Sequence, residues 1–455
     1  MELMQYINGV LPMFQLADTV REAANQGAAV PQSLEEMRGL CQEGITSLMR
    51  KAGACYPDEM MASFPKLQEL AEAIADAGAE KLPALVDAWE GVFSSPLLQP
   101  YVKILKQTNQ FSEGEAESAV AFVRQLTVIS AKTRGNLLME TAFKCQASAP
   151  QLSWETMMEA METAPDLFAS NQNAHLHGYV YQPGAHPQSE FLGCPICDSE
   201  ESVPYRAACS CLITSFKPIF LPAKLWMKCS RCGNLYTRFF PTEFLAMSDA
   251  PPRQLTPRPE GMVMQPASSI TLHIWGEILK KLSSLTDGRD LLEVGVGKGE
   301  MISVAQELGF QITAVELVGE IAQHVSDVLD IPVIQADFLK LPEDRQYSII
   351  TMRDILEHLQ APVQGLKKAY ALLRDDGVLW LSTPNFKSSF SRLMKVNDPM
   401  WREPEHITYF NKDGLLKILE KTGFLLEEYT VSNRYNGSME LILRKKGHKP
   451  EAAKE

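Results

Sequence analysis

The sequence predicts an α/β fold class: a doubly wound, mostly parallel sheet of seven strands toward the C-terminus, preceded by a small ribbon-like module and an all-α N-terminal domain. Three observations carry this expectation. Past Ile270, apolar runs of strand length alternate with segments of helical period, as parallel strands joined by crossover helices require. Two C-x-x-C pairs stand at Cys194/Cys197 and Cys229/Cys232. Ahead of them, to about Phe168, the chain is rich in Ala, Leu, Glu, Met and Gln, with apolar residues recurring at three and four.

The helical period is plain at Phe64 to Ile74 and at Ala119 to Leu126. Breaks at Pro31, Pro57, Pro83, Pro96, Pro100 and Pro150 divide this region into an expected six to eight helices. Cys41, Cys55 and Cys145 are isolated and read as buried thiols. Residues 1–172 therefore form a helical domain without a catalytic constellation, and by exclusion their expected role is docking a protein partner or self-association. From Asn173 to Pro187, His175, His177, Tyr179 and Tyr181 alternate as in a strand with one polar aromatic face. The two histidines either edge the next module or meet a metal or substrate.

That module, residues 173–248, holds the two cysteine pairs. Each offers two thiolates from one tight turn, and together they complete a tetrahedral sulfur site suited to zinc, with a mononuclear iron centre as the second choice. Four thiolates leave no open position, so the metal's role is structural. Cys209 and Cys211 lie between the pairs on one face of an expected strand, as core or as a replacement ligand. Residues 249–268, with Pro251, Pro252, Pro257, Pro259 and Pro266, read as a linker. In residues 269–446, after a helix near Ile270 to Leu285, strands are expected at Asp290 to Val294, Gln311 to Glu316, Val333 to Ile334, Tyr347 to Met352 and Val378 to Ser382. Intervening helices begin at Glu300, Glu320 and Val363. A last helix, Leu415 to Lys421, precedes Phe424 to Val431 and Ser438 to Leu443, joined at Asn436-Gly437 as an antiparallel hairpin. Residues 447–455 are a charged tail.

A chain of 455 residues is too long for one core. With 43 Lys and Arg against 56 Asp and Glu, its net charge of -13 opposes broad contact with a phosphate backbone, so no nucleic-acid partner is expected. Met1 to Val20 lacks the basic start of a secretory signal, and no stretch is long enough for a membrane span. Nine cysteines, four of them in C-x-x-C pairs, fit a reducing compartment, and the expected location is cytoplasmic.

The chemistry centres on Leu291-Leu292-Glu293-Val294-Gly295-Val296-Gly297-Lys298-Gly299-Glu300. An apolar strand ends in glycines at alternate positions, which lets the backbone turn sharply and approach a ligand closely. A dinucleotide fingerprint calls for glycine or alanine at position 300, facing the pyrophosphate. Glu300 repels a diphosphate but tolerates a phosphate-free ligand with a cationic centre, and S-adenosylmethionine is such a ligand.

With Glu316 ending the second strand, Asp337 after the third, Asp354-Ile355-Leu356-Glu357-His358 after the fourth, Thr383-Pro384-Asn385 after the fifth and the closing hairpin, the set resembles a class I S-adenosylmethionine-dependent methyltransferase over Ile270 to Lys446. The upstream cysteines followed by Glu405-His406-Ile407-Thr408-Tyr409-Phe410 are similar to zinc-bearing methyltransferases of sugar and glycan pathways. The resemblance implies a Rossmann-like fold in which Gly295, Gly297 and Gly299 pass under the cofactor, Glu293 holds its amino-acid end and Glu316 takes the ribose hydroxyls. Asp337 would accept from the adenine amine, Phe338 or Leu317 would flank the ring, and Arg353 and Asp354 would close the pocket.

It also implies that the protein chiefly aligns the acceptor, since the donor carbon is already activated. For a hydroxyl or carbon acid a base adds a factor of about 10² to 10⁴. His406 is the first candidate, with Glu405 orienting it or binding substrate, and His358 is the second. Some sugar C-methyltransferases carry a tyrosine where this chain has Glu403. Trp401 and Tyr409 line the acceptor site or pack. No Asn-Pro-Pro-Tyr-like segment follows the fourth strand, which disfavours base and amide acceptors. The expected acceptor is a small hydroxylated molecule, a carbohydrate first; O-methylation of a quinone or other secondary metabolite, a macromolecular acceptor recruited by the helical region, and a non-catalytic scaffold are the alternatives.

Overall fold

The computed structural model describes residues 98–127, 129–169, 174–243, 253–255 and 269–447, with isolated positions before 98. Residues 1–185 with 206–214 form one compact unit, and residues 186–205 with 215–455 a second. Cys41, Cys55 and most of Phe64 to Ile74 lie outside the described residues.

The first unit contains helices α1 (Gln99–Gln107), α2 (Glu113–Arg124), α3 (Ala131–Phe143) and α4 (Pro150–Thr163). Helix α2 starts at a capping box, in which the Ser112 amide and Glu115 carboxylate are 2.9 Å apart; such a box satisfies otherwise orphaned helix donors. Cys145 is buried and its Sγ points to the Thr141 and Ala142 carbonyls; burial pushes its thiol up to about 11, which makes it inert. The strand expected over His175 to Tyr181 is a short 3-10 turn, Ala174–Leu176, instead. Gly178 takes φ +74° and His175 Nε2 meets the Cys211 carbonyl at 3.1 Å, so alternation here reflects a turn and not a pleat.

The second unit is built on two principal sheets. Its strands are β1 (Gln188–Glu190), β2 (Ser202–Cys209, continuing into the first unit), β3 (Ala223–Cys229), β4 (Leu235–Thr237), β5 (Phe239–Pro241), β6 (Arg253–Leu255), β7 (Asp290–Val294), β8 (Gln311–Glu316), β9 (Val333–Gln335), β10 (Tyr347–Arg353), β11 (Leu373–Pro384), β12 (Thr408–Tyr409), β13 (Phe424–Val431) and β14 (Ser438–Lys445). Its helices are α5 (Ser269–Ser283), α6 (Glu300–Glu307), α7 (Gly319–Leu329), α8 (Pro362–Leu372), α9 (Ser389–Met394) and α10 (Lys412–Lys421). The larger sheet has the order β13-β14-β11-β10-β7-β8-β9-β6. It contains the seven expected strands plus one: Arg253–Leu255, in the stretch read as a linker, adds an antiparallel edge to β9. The prolines flank that segment and leave three residues free to pair.

Strands β7, β8, β9, β10 and β11 are parallel neighbours, and Gly437 at φ +85° turns the closing β13–β14 hairpin. Two buried clusters hold this sheet. One joins Trp275 and Leu279 of α5, Met301 of α6 and Leu291, Ile349, Val378 and Trp380 of the strands. The other joins Ala322 and Val325 of α7 to Ala314, Val333 and Leu255. Each large apolar side chain buried in this way contributes about 1.5–3 kcal/mol. The smaller sheet has the order β12-β4-β3-β2. Its β12 comes from the segment after β11, so the cysteine-bearing strands and the C-terminal segment share one sheet.

Candidate functional site

Parallel strands deliver their carboxyl ends to one edge, where ligands of such sheets bind. At that edge β7 ends in the glycine turn. Gly295, at φ +77°, would bring a Cβ within 2.1 Å of Ile355 Cδ1, and Gly297, at φ +51°, within 2.7 Å of Arg353 Nη2. A side chain at either position would strain the left-handed backbone and displace the end of Ile355 or Arg353. Gly299 is the left-handed residue from which α6 starts.

Glu293, beneath the turn, is fully buried, and neither of its carboxylate oxygens has a hydrogen-bond partner. Burial raises its pKa to about 7, against the opposing pull of Arg353 and with help from Glu316. Such an orphan is costly unless a ligand completes it. Glu316 ends β8 turned toward the same loop: its oxygens accept from Val296 N at 3.1 Å and Val318 N at 2.9 Å. The amides of Gly297 and Leu317 also act on this carboxylate, which marks it as an acceptor aimed at the turn. Arg353 donates to the Val296 carbonyl at 3.3 Å, lies 3.9 Å from Glu300 and stacks on Trp275. Asp337 accepts from its own loop at Leu339 N, beside buried Phe338, and half-buried Leu317 directly follows Glu316. Asp354, at φ +50°, accepts from Ser382 Oγ and lies 3.8 Å from Arg434. Among the described residues, Val296, Gly297, Glu316 and Arg353 thus meet directly, Glu293 feels the charges of Arg353 and Glu316, and Asp337 and Asp354 make no hydrogen bond to the turn.

The second cluster follows β10. His358 Nδ1 is 3.0 Å from the Glu405 carbonyl, and its ring meets that of His406 edge to face at 4.8 Å. Burial lowers the pKa of both, that of His406 well below the usual histidine range, with His358 and Lys224 adding to the effect. The acidic neighbour of His406 is Glu357, 4.0 Å away, and not Glu405, whose carboxylate pairs with Lys217 at 2.5 Å. Glu403 accepts from Ser215 Oγ. Trp401 and Tyr409 are buried and pack with Trp226 and Phe386.

Lys224, on β3, holds this segment. Its Nζ donates to the carbonyls of Glu403 at 2.5 Å, Pro404 at 3.1 Å and His406 at 2.6 Å. Desolvation pulls its pKa down to about 7, yet three carbonyls call for three N–H donors, a count that only the ammonium meets. Sequence reasoning missed both Lys224 and Glu357. The signals were a lone lysine inside the apolar run Ala223-Lys224-Leu225-Trp226 and the Glu-His pair itself.

The four knuckle cysteines converge: one Sγ from each of Cys194, Cys197, Cys229 and Cys232 lies within 4.8 Å of the others. The Cys194–Cys232 and Cys197–Cys229 sulfurs are 3.7 and 3.5 Å apart. Tetrahedral zinc with bonds of about 2.3 Å sets its sulfurs about 3.8 Å apart, so the donor set fits. Cys209 and Cys211 sit 3.3 Å from each other, outside this group.

A glycine turn over an orphaned carboxylate, with a second carboxylate on the next strand, defines an α/β domain of the methyltransferase type. Residues 269–429 match a family model described as a methyltransferase domain, and this stretch is a class I S-adenosylmethionine-dependent methyltransferase domain. A "Probable S-adenosylmethionine-dependent methyltransferase" of Mycobacterium tuberculosis is 28% identical over 152 residues, 32% of this chain and 53% of that protein. A "Ubiquinone biosynthesis O-methyltransferase" of Xanthomonas campestris is 29% identical over 105 residues, 22% of this chain and 44% of that protein. The chain spans about half the length of the curated relatives it matches. Among solved structures, magnesium protoporphyrin IX methyltransferase from Synechocystis with bound SAH aligns at 17% identity and TM-score 0.32, over 40% of this chain and 90% of that one.

Proposed function

We propose that residues 269–429 bind S-adenosylmethionine and transfer its methyl group to a small hydroxylated acceptor, a sugar, nucleotide-linked sugar or glycan intermediate. The observation that carries this reading is Glu293, a buried carboxylate without a hydrogen-bond partner beneath a glycine turn. It would pair with the amine of the donor, Glu316 would take the ribose hydroxyls, and Asp337, Phe338 and Leu317 would receive the adenine. When bound, S-adenosylmethionine supplies an electrophilic methyl carbon. The chain's residues then align the acceptor and remove its proton.

His406 is the proposed base, since burial keeps it neutral at pH 7. His358 is the second candidate, and Glu405 positions it through its carbonyl. The name of the Xanthomonas relative favours a second reading, O-methylation of a quinone. The four cysteines are proposed to hold a structural zinc, on the strength of their sulfur geometry.

Incubation of the full chain with methyl-labelled donor and a panel of nucleotide sugars and quinones tests the acceptor. Label in a nucleotide sugar is expected, and label confined to protein or RNA would oppose the proposal.

A further inference from the structure

The buried cluster of Glu357, His358 and His406 has a property that a simple base does not need. One potential ligand atom from each lies within 4.8 Å of the others. We propose that these three residues bind a divalent cation through one carboxylate oxygen and two imidazole nitrogens, leaving open positions for an acceptor hydroxyl. The site is separate from the four-cysteine cluster.

Four observations support it. Glu357 is fully buried; its Oε2 accepts from Thr383 Oγ1 at 2.9 Å, while Oε1 has no hydrogen-bond partner. That free oxygen stands 4.0 Å from His406 Nε2. The gap is too long for a hydrogen bond, but two ligands of one ion, each about 2.1 Å from it, stand about 3.0 to 4.2 Å apart as their angle opens from a right angle to a straight line. His358 directs Nδ1 at the Glu405 carbonyl, which fixes the proton there and leaves Nε2 as the lone-pair nitrogen. Such outer partners, a carbonyl behind the imidazole and a hydroxyl behind the carboxylate, are the usual supports of metal ligands.

The backbone keeps the three together. Ile407 N donates to the Glu357 carbonyl at 2.9 Å, and Lys224 holds the His406 carbonyl at 2.6 Å. The charged groups facing the cluster are Asp354 and Arg434, which act on Glu357; Glu405, Glu403 and Asp354, which act on His358; and Lys224, which acts on His406. A cation would compensate the buried carboxylate, which is otherwise costly to ionise. Two nitrogens and one oxygen suit manganese, iron, cobalt or zinc as the divalent ion, and three protein ligands leave room for substrate, as catalytic sites do. The cation's use deepens the methyl-transfer reading and rests on it: with the cation bound, His406 serves as a ligand in place of its role as base, and a coordinated hydroxyl ionises more easily, its proton passing to water. Cation binding itself does not depend on that reading.

The full chain is dialysed against Mn2+ without S-adenosylmethionine, and total metal per chain is measured. Wild-type protein should retain one equivalent more than Glu357→Gln, while Glu343→Gln, an exposed carboxylate, should match wild type. Equal totals in wild type and Glu357→Gln would overturn the proposal. If circular dichroism finds Glu357→Gln unfolded, His358→Gln is read in the same way. Bound Mn2+ in the wild type should also show pulsed-EPR modulation from two imidazole nitrogens, and bound ion without nitrogen coupling would equally overturn it. Donor binding, measured separately by calorimetry, reports on the methyltransferase reading.

Discussion

Glu293 links burial, pH and ligand. Its pKa is raised from 4.5 to about 7, so between those values the folded state holds a proton that the unfolded state has lost. Its contribution to stability therefore declines as pH rises from 4.5 to 7, by about 3 kcal/mol in total. A cationic amine seated against it would recover that loss. Affinity for S-adenosylmethionine is expected to strengthen about tenfold from pH 6 to pH 8, and Glu293→Gln should flatten the profile. Calorimetric titrations at both values check this, and an unchanged wild-type affinity would remove Glu293 from the site. The place of this carboxylate on β7, just before the turn, was legible because it sits inside the glycine motif. The unpaired state of its oxygens was not, since burial depends on strands remote in sequence.

The segment from Trp401 to Asn411 behaves as an element held from outside. Lys224 binds three of its carbonyls, the Trp226 indole donates to the Trp401 carbonyl at 2.9 Å, and β12 pairs with β4. Charge-assisted bonds of this kind contribute about 1.5–3 kcal/mol each. Lys224→Met should lower the melting temperature by several degrees and cut methyl transfer at least tenfold, with donor affinity unchanged. Equal turnover would show that the segment positions nothing. This dependence was invisible in the sequence, because Lys224 and Glu403 stand 179 residues apart. The turn at His175 to Tyr181 misled for the opposite reason: period-two alternation over so few residues does not fix a pleat when Gly178 can enter the left-handed region. The edge strand Arg253–Leu255 was hidden among prolines, whose flanking positions permit edge pairing.

At the scale of the second unit, the cysteine knuckles and the methyltransferase sheet form one mechanical chain. Gly233 and Asn234, next to Cys232, bind the Asn411 side chain and amide, and Asn411 in turn caps α10 by accepting from Gly414 N. Among the described residues, no helix is long and apolar enough to cross a membrane. Stripping the proposed zinc from the four cysteines, or Cys197→Ser, should raise amide exchange in residues 229–237 and also in 408–415, through the Asn411 bonds, while 290–316 stays protected. Exchange confined to the knuckles would break the proposed link. The parallel sheet, the hairpin and the paired cysteines were readable because each is a short-range pattern. The merging of β12 into the cysteine-bearing sheet was not, because a two-residue strand carries no periodicity.

The central claim is that the turn after Val294 holds a phosphate-free cationic donor. Equilibrium titration of S-adenosylmethionine into the full chain and into Gly297→Arg tests it most directly, because a side chain at 297 must collide with Arg353. One site per chain, weakened at least a hundredfold in the variant, is the predicted result; no binding by the wild type, or equal binding by both, would contradict it.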